Sequence, residues 1–442
     1  MTTPGAAERL TLAEYGWAPD FVGTLAERLG TGAAEAVAVL HELDERLVKL
    51  LGVEEGLIDI RGRDVRVHDC AGILRVAPGV EVEVVPKFLS ADTRWHEDFL
   101  LFATLAENGR VLPSEALASG VGERGDLATF IAQTMLGMFW PHQRRPLRQY
   151  RRRVWHEFSL DGEFDSETLL LPTEDGFRLE GSFFERTNGY NATIWAAFRA
   201  LLPEVADPEV SAQMRRAISA LSPQDLRAVD ARPRLLPSRH RHWQPLFDLA
   251  GQVLRGYGVG YSGAAFEAPG FVLQTWRTWQ SVALAALRQG LPEHLVDDQA
   301  SFQLGLRNGR ALNVKPDISV MTAASAAMLL DAKYKTRIDR STRIVEADVY
   351  ESLAFMRAAG ASTLILLYPR QEGVPVRPAG ECEVFETILI ADQTILGVAV
   401  ECRGVSGQGF DAFAQRLAGF VRRRLASTAQ GAGASELGLA SS

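Results

Sequence analysis

The chain has 442 residues, a formal net charge of −8 and only three cysteines, Cys70, Cys382 and Cys402. That length provides core for roughly two to four domains. No apolar run approaches the roughly 20 residues of a membrane span, and the opening MTTPGAAE has neither the basic region nor the apolar stretch of a secretory signal. Widely spaced cysteines without a CxxC pair exclude a disulfide framework or cysteine zinc site and suit a reducing compartment, so no membrane association and a cytoplasmic location are expected.

In chain order, residues 1 to about 55 are expected to be helical, most clearly Ala33 to Leu51, where apolar residues recur at spacings of three and four. From Leu57 to Phe88 short runs (LIDIRG, VRVHD, GILRVAP, VEVEVVPKF) are separated by turn residues, the pattern of a small β-rich unit. Helices are expected between about Glu97 and Trp140, then an extended segment from His156, then helices at Asn191–Leu202 and Val210–Leu221. Proline and arginine crowd residues 223–243, a natural boundary. Beyond it the pattern predicts helices at Gln244–Arg255 and Phe271–Gln289, and a strand pair at Val314–Val320 and Ala327–Lys335. A helix at Val345–Ala359, an apolar strand at Ser362–Tyr368, two strands within Glu381–Glu401 and a helix at Phe410–Leu425 follow. The tail from Ala426, rich in Ser, Gly and Ala, reads as disordered. The expected segments are therefore 1–56 (helical), 57–160 (β-rich and helical), 161–242 (helical linker), 243–405 (mixed α/β) and 406–442 (helix and tail).

Net charge hides local patches, which set the field at a binding cleft. Two dense basic stretches run from His142 to His156 and from Arg232 to Trp243, each readable as a solvated helix face or loop. A third, looser set (Lys333, Lys335, Arg337, Arg340, Arg343) is placed to neutralise phosphates, with Lys335, Arg337, Arg340 and Arg343 as DNA-binding candidates.

That third set adjoins the most informative residues. Asn313-Val-Lys-Pro-Asp-Ile-Ser-Val320 and Leu329-Leu-Asp-Ala-Lys-Tyr-Lys335 both have strand character, and a short connection suits a hairpin. Alternation along a strand puts Asp331 and Lys333 on one face and Leu330, Ala332 and Tyr334 on the other. Asp317 would then lie beside Asp331. Two carboxylates with the Ala332 carbonyl form a hard-oxygen set suited to Mg²⁺, with Mn²⁺ as a substitute. An adjacent Lys333 could orient a water or stabilise charge on a phosphate, the requirements of phosphodiester hydrolysis. The bland alternative is an ordinary Asp–Lys pair on two surface strands. His240 and His242, lacking a matching carboxylate or cysteine, read as a basic segment, and Trp276 and Trp279 as core rather than a base-stacking platform.

These residues resemble the PD-(D/E)xK nuclease superfamily and, more narrowly, the McrC family, the nuclease subunit of McrBC-type modification-dependent restriction systems. Pro316-Asp317-Ile318 and Leu330-Asp-Ala-Lys-Tyr-Lys335 are similar to its two half-motifs. Asp348-Val-Tyr-Glu351 resembles its Asp-x-Tyr-Gln, Gly79 to Phe88 its N-terminal strand ending in Pro-Lys, and Thr187 to Asn191 its central Thr-x-x-Asn; Gln299 also fits. The resemblance spans roughly residues 57–400 and is weak between these islands. It implies a C-terminal restriction-endonuclease-like α/β domain, a mixed sheet flanked by helices, after a helical and small β-rich N-terminal region. Its helix before the core often carries a glutamate facing the metal, and the matching position is Gln280, while Glu351 replaces the usual glutamine. One reading of this pair is a carboxylate exchanged between helices, with Glu351 or Gln280 auxiliary to Asp317, Asp331 and Lys333; a plain first-turn acid is the other reading of Glu351.

No GxxxxGK[ST] is present, so the chain has no P-loop of its own. The resemblance to the McrC family implies that nucleotide hydrolysis comes from a separate McrB-like AAA+ GTPase, bound by the part of the chain up to about residue 160 in a hetero-oligomer. The leading expectation is a Mg²⁺-dependent DNA endonuclease subunit of a bacterial defence complex. A degenerate nuclease-fold adaptor that binds DNA and regulates an AAA+ ring is the rival, and a stand-alone nuclease the third reading.

Overall fold

A computed structural model describes residues 10–77, 80–89, 95–112, 127–158, 163–164, 174–205, 207–221, 226–256, 271–321, 326–334, 343–370 and 375–439, with side chains to residue 427. Packing divides the chain into two compact units, Met1–Leu117 with Pro269–Ser442, and Ala118–Ala268. This grouping differs from the five expected segments. A strand just after Pro269 pairs with the N-terminal sheet, so both ends of the chain belong to one unit.

In the first unit, β1 (Leu10–Ala13), β5 (Val80–Val85), β4 (Cys70–Ala77) and β9 (Val272–Gln274) form a four-stranded sheet in that order. β1 runs parallel to β5 and the other pairs are antiparallel. Two helices, α1 (Phe21–Leu29) and α2 (Ala33–Leu51), accompany the sheet, with the hairpin β2 (Ile58–Arg61) and β3 (Asp64–Val67). Along α2 the buried residues Ala36, Leu40, Leu43 and Leu47 form one stripe against Val65, Leu74, Val82 and Val84. Gly52, at φ 65°, closes that helix in the left-handed conformation glycine adopts without strain. Residues 10–13 correct the helical expectation for the N-terminus. Their Leu-Thr-Leu alternation buries Leu12, and the partner strand lies too far along the chain for local periodicity to reveal it.

The second sheet has six strands in the order β10 (Leu295–Asp297), β13 (Ile318–Met321), β14 (Ala326–Ala332), β15 (Thr363–Pro369), β17 (Gln393–Val400) and β16 (Cys382–Ile390). β13 and β14 are antiparallel neighbours, while β15 runs parallel to both β14 and β17. All seven residues of β15 are buried, which is why it reads as an unbroken apolar run. Helices α3 (Trp95–Asn108), α8 (Thr275–Gly290), α9 (Glu346–Ala359), α10 (Val405–Gln408) and α11 (Phe410–Leu439) complete this mixed α/β unit. No helix among the described residues is long and apolar enough to cross a membrane.

Three expectations need adjustment here. Val314–Val320 is two strands: Val314 ends β12 (Arg310–Val314), which pairs with β11 (Phe302–Arg307), and β13 starts only at Ile318. Pro316 lacks the N–H that a continuous ladder would use. The helix expected from Phe271 begins at Thr275, after β9 has paired with β4. Finally, α11 runs on to Leu439, through the stretch expected to be a disordered tail.

The second unit contains the antiparallel sheet β6 (Gln149–Glu157), β8 (Phe177–Glu185) and β7 (Glu163–Phe164), in that order, and helices α4 (Leu127–His142), α5 (Gly189–Leu201), α6 (Pro208–Leu221) and α7 (Gln244–Gly256). The first basic patch starts at the end of α4, passes through a turn and loop that carry Arg144, Arg145 and Arg148, and continues onto exposed β6 with Arg151, Arg152 and Arg153. Arg152 pairs there with Glu180, and Arg153 Nη2 lies 2.7 Å from Glu185 Oε2. In the second patch His240 is buried, its Nε2 2.8 Å from the Arg148 carbonyl, and the Trp243 indole donates to the Arg145 carbonyl at 2.8 Å.

Candidate active site

The site is built at the open end of the β13–β14 hairpin, away from the connection between Met321 and Ala326. Pairing of Ile318 with Leu330 carries Asp317, one residue before β13, to the position opposite Asp331. There Asp317 is held from two sides. Its Oδ2 accepts the Ala332 backbone N–H at 2.9 Å, and its Oδ1 accepts Gln280 Nε2, from α8, at 2.8 Å. Gln280 therefore reaches the carboxylate with its amide N–H. Lys315, beside Pro316, donates to Gln299 Oε1 at 2.8 Å, which gives Gln299 a local supporting contact.

Asp331 is 5% exposed. Burial, followed by hydrogen-bonding contact with the Asp317 carboxyl and its charge, pushes the Asp331 carboxyl up to about 7 against the opposing pull of Lys333. Lys333 Nζ lies 2.6 Å from Asp331 Oδ2 and 2.6 Å from Glu351 Oε2. Burial alone would lower the Lys333 ammonium. The carboxylates of Asp331 and Glu351 outweigh it and hold the group above ordinary lysine. The backbone N–H of Lys333 donates to the Leu367 carbonyl at 2.9 Å, and the buried Trp279 indole donates to the same carbonyl at 3.0 Å. Trp279 is thus core, and Trp276 is 38% exposed.

Asp317, Asp331, Lys333, Gln280 and Glu351 are therefore brought together. Glu351 approaches through the ammonium of Lys333, not as a direct neighbour of the carboxylate pair in any described contact. Sequence reasoning did not single out Asp348 by itself. It is 1% exposed in the first turn of α9, accepts the Tyr368 hydroxyl at 3.3 Å, and lies 3.8 Å from Lys333 Nζ. The available signal was helical spacing, since Asp348 and Glu351 are three apart and face the same way. Lys335, Arg337 and Arg340 lie outside the described residues, and Arg343 is exposed just before α9.

Among the described residues no group of three or more His, Cys, Asp or Glu side chains is arranged to hold a metal. The donor set is two touching carboxylates, one of them buried and forced towards its neutral form. Mg²⁺ commonly takes one or two protein carboxylates and completes its shell with water and phosphate oxygens. Asp317 and Asp331, with the Ala332 carbonyl expected to assist, fit that pattern. A divalent cation would also relieve the repulsion that raises Asp331.

Residues 65–369 match the family described as McrBC 5-methylcytosine restriction system component. No curated protein matches the chain. Among solved structures, a chain of the refined half-complex from the tetradecameric assembly of Thermococcus gammatolerans McrB AAA+ hexamers with bound McrC is similar at TM-score 0.66 and 15% identity, covering 93% of this chain and 100% of that one. A chain of the cryo-EM structure of the Thermococcus gammatolerans McrBC complex gives TM-score 0.47 and 14% identity, over 64% of this chain and 88% of that one. At such identity the first likeness speaks for the mixed α/β fold. The family match spans most of the sequence, and the chain belongs to the McrBC 5-methylcytosine restriction system component family.

Proposed function

We propose that this chain is the Mg²⁺-dependent DNA endonuclease subunit of a restriction complex, of the PD-(D/E)xK type. The observation that carries the reading is the meeting of Asp317, Asp331 and Lys333 at one hairpin end, with Lys333 Nζ 2.6 Å from Asp331. Asp317 and Asp331 would hold Mg²⁺, which supplies Lewis-acid polarisation of a phosphate and a more acidic water. Asp317 is fixed for that task by Ala332 and Gln280, so its oxygens need little reorganisation. Lys333, anchored between Asp331 and Glu351, keeps a full positive charge beside the place where negative charge develops on a phosphate in transit. Its protonated state suits charge stabilisation better than proton abstraction.

The assembly whose chain shares this fold is described as McrB AAA+ hexamers with bound McrC. We infer a corresponding partnership here: an AAA+ GTPase supplies nucleotide hydrolysis and this chain cuts DNA. In a reconstituted complex, Asp331→Ala and Lys333→Ala should each abolish Mg²⁺-dependent cleavage while the complex still assembles. Cleavage surviving in either variant overturns the assignment.

One observation favours the rival reading of a non-catalytic adaptor: Gln280 presents an N–H donor where an acidic ligand would stand. Calorimetric titration separates the two. An adaptor takes up neither Mg²⁺ nor Mn²⁺ in a manner that Asp331→Asn removes.

A further inference from the structure

A second polar cluster lies behind the candidate site in the same unit. Glu14, 3% exposed, follows β1, and its carboxylate gathers three chain segments. Oε2 accepts the Lys87 backbone N–H at 3.0 Å and the Tyr334 hydroxyl at 2.5 Å, while Oε1 accepts the Thr275 hydroxyl at 2.6 Å. Lys87, just after β5, turns back on the same segment. Its ammonium donates to the Tyr334 carbonyl and sits 3.9 Å from the centroid of the Tyr334 ring and 4.3 Å from that of Tyr15. Tyr334 is the residue after Lys333, and Thr275 is the first residue of the helix that carries Gln280. The four residues therefore join the N-terminal sheet to both elements that supply the site.

Burying a carboxylate and an ammonium is costly, and an apolar pair of similar size is often as stable. What such a pair supplies is direction, because the donors and acceptors must meet at fixed angles. Residue choice points the same way. Only five of the 47 basic residues are lysines, and two of them, Lys87 and Lys333, make contacts with neighbouring residues at the end of β14. A compact ammonium fits between two aromatic faces and a single carbonyl, where a planar fork would not.

We propose that Glu14 and Lys87 are positioning residues for the candidate site, fixing the end of β14 that bears Lys333 and the first turn of α8 that leads to Gln280. The inference rests on the endonuclease reading only for what is being positioned. The test uses Glu14→Gln, which removes the charge, and Tyr334→Phe, which removes only the hydroxyl donated to Glu14 and keeps the buried ring. Cleavage by the reconstituted complex is followed as kcat and KM, and acylation of Lys333 in the full-length chain is mapped by mass spectrometry at one fixed pH. Expected are a kcat about 10- to 100-fold lower, a KM for DNA within about two-fold of wild type, and a several-fold rise in Lys333 acylation as its segment loosens. If kcat and Lys333 acylation both match wild type, or kcat falls only with the folded fraction while acylation is unchanged, the proposal is overturned. If wild type fails to cleave yet both variants shift Lys333 acylation, the positioning stands and the endonuclease reading falls. Should Glu14→Gln not fold, Tyr334→Phe carries the same comparison alone.

Discussion

Gln280 Nε2 lies 2.8 Å from Asp317 Oδ1, so α8 offers the carboxylate pair a hydrogen-bond donor in place of a third acid. Gln280→Glu converts that contact into a like-charge approach. Without metal it should destabilise the protein by about 1–3 kcal/mol, the range for losing a hydrogen bond to a charged, partly buried group. With Mg²⁺ the sign reverses, because affinity for hard cations grows with the number of acidic ligands. Scanning calorimetry with and without Mg²⁺ reads both effects. Equal Mg²⁺ affinity in the two proteins shows that residue 280 does not face the cation.

Asp331 gives a pH dependence of defined sign. Its folded value, about 7, lies above the ordinary 3.8, because burial and the Asp317 carboxyl favour the protonated form. The native state therefore holds a proton that the unfolded chain releases, and the associated stability is fully present below pH 3.8 and lost as pH rises through 7. The shift corresponds to an upper bound on the order of 4 kcal/mol, shared with Asp317 through their contact. Between these pH values the Tm of the metal-free protein should fall in wild type and fall less in Asp331→Asn. Since binding requires the ionised carboxylate, Mg²⁺ should stabilise wild type far more at pH 8 than at pH 5 (about one unit or more to either side of the titration). Parallel Tm–pH curves for the two proteins would refute this account.

The parts of the site legible in the sequence are those set by short-range rules. Asp331 and Lys333 share a strand face because the period is two, and β15 announces itself as an apolar run because it is covered on both sides. The hairpin needed only a short connection, and Asp317 followed from its register. What stayed hidden depends on distant pairing. β1 is a strand because β5 lies beside it, and Glu14 matters because Tyr334 and Thr275 are folded onto it. Asp348 shares a helix face with Glu351 by local spacing, but its contact with Lys333 depends on how α9 packs against the end of β14. The break at Pro316 is a local signal: its missing N–H separates β12 from β13.

Two acids flank Lys333 on α9, and distance alone ranks them wrongly. Glu351 is closer, at 2.6 Å, but its side chain is 47% exposed, while Asp348 stands at 3.8 Å with 1% exposure. Water screens the first pair, which leaves about 0–1 kcal/mol. Removing charge from the second takes a partner from a nearly dry carboxylate–ammonium contact, with a cost of about 1–3 kcal/mol. Asp348→Asn should therefore lower the Tm more than Glu351→Gln, although it keeps the shape that receives the Tyr368 hydroxyl. Thermal melts at matched pH decide the order, and a larger loss from Glu351→Gln would show that solvent screening at that contact has been overestimated.

In the second unit, Asn188 makes a different kind of junction. Its side-chain oxygen accepts the N–H groups of Tyr190 and Asn191 at 3.1 and 3.0 Å, capping α5, and its Nδ2 donates to the carbonyls of Leu147, Glu185 and Arg186. Asn191 repeats the device, donating to Leu147 at 2.9 Å and Arg186 at 2.7 Å. One carboxamide thus starts a helix and ties down the end of β8 and the segment before β6. These contacts give the motif around residues 187–191 an architectural role. Asn188→Ala should lose the cap, about 1 kcal/mol, and its share of the donors to the Leu147, Glu185 and Arg186 carbonyls, about 1 kcal/mol more because Asn191 still donates to two of them. Asn188→Asp keeps the cap, adds a charge that the α5 N-terminus favours, and loses only the donors, so it should fall between wild type and alanine. Hydrogen exchange along α5 reads the difference directly: protection should drop across 191–201 in the order wild type, aspartate, alanine, while β14 and β15 of the first unit keep theirs. Equal protection in alanine and wild type would mean that the helix start is held by packing of Ile194, Trp195 and Phe198 and not by the carboxamide.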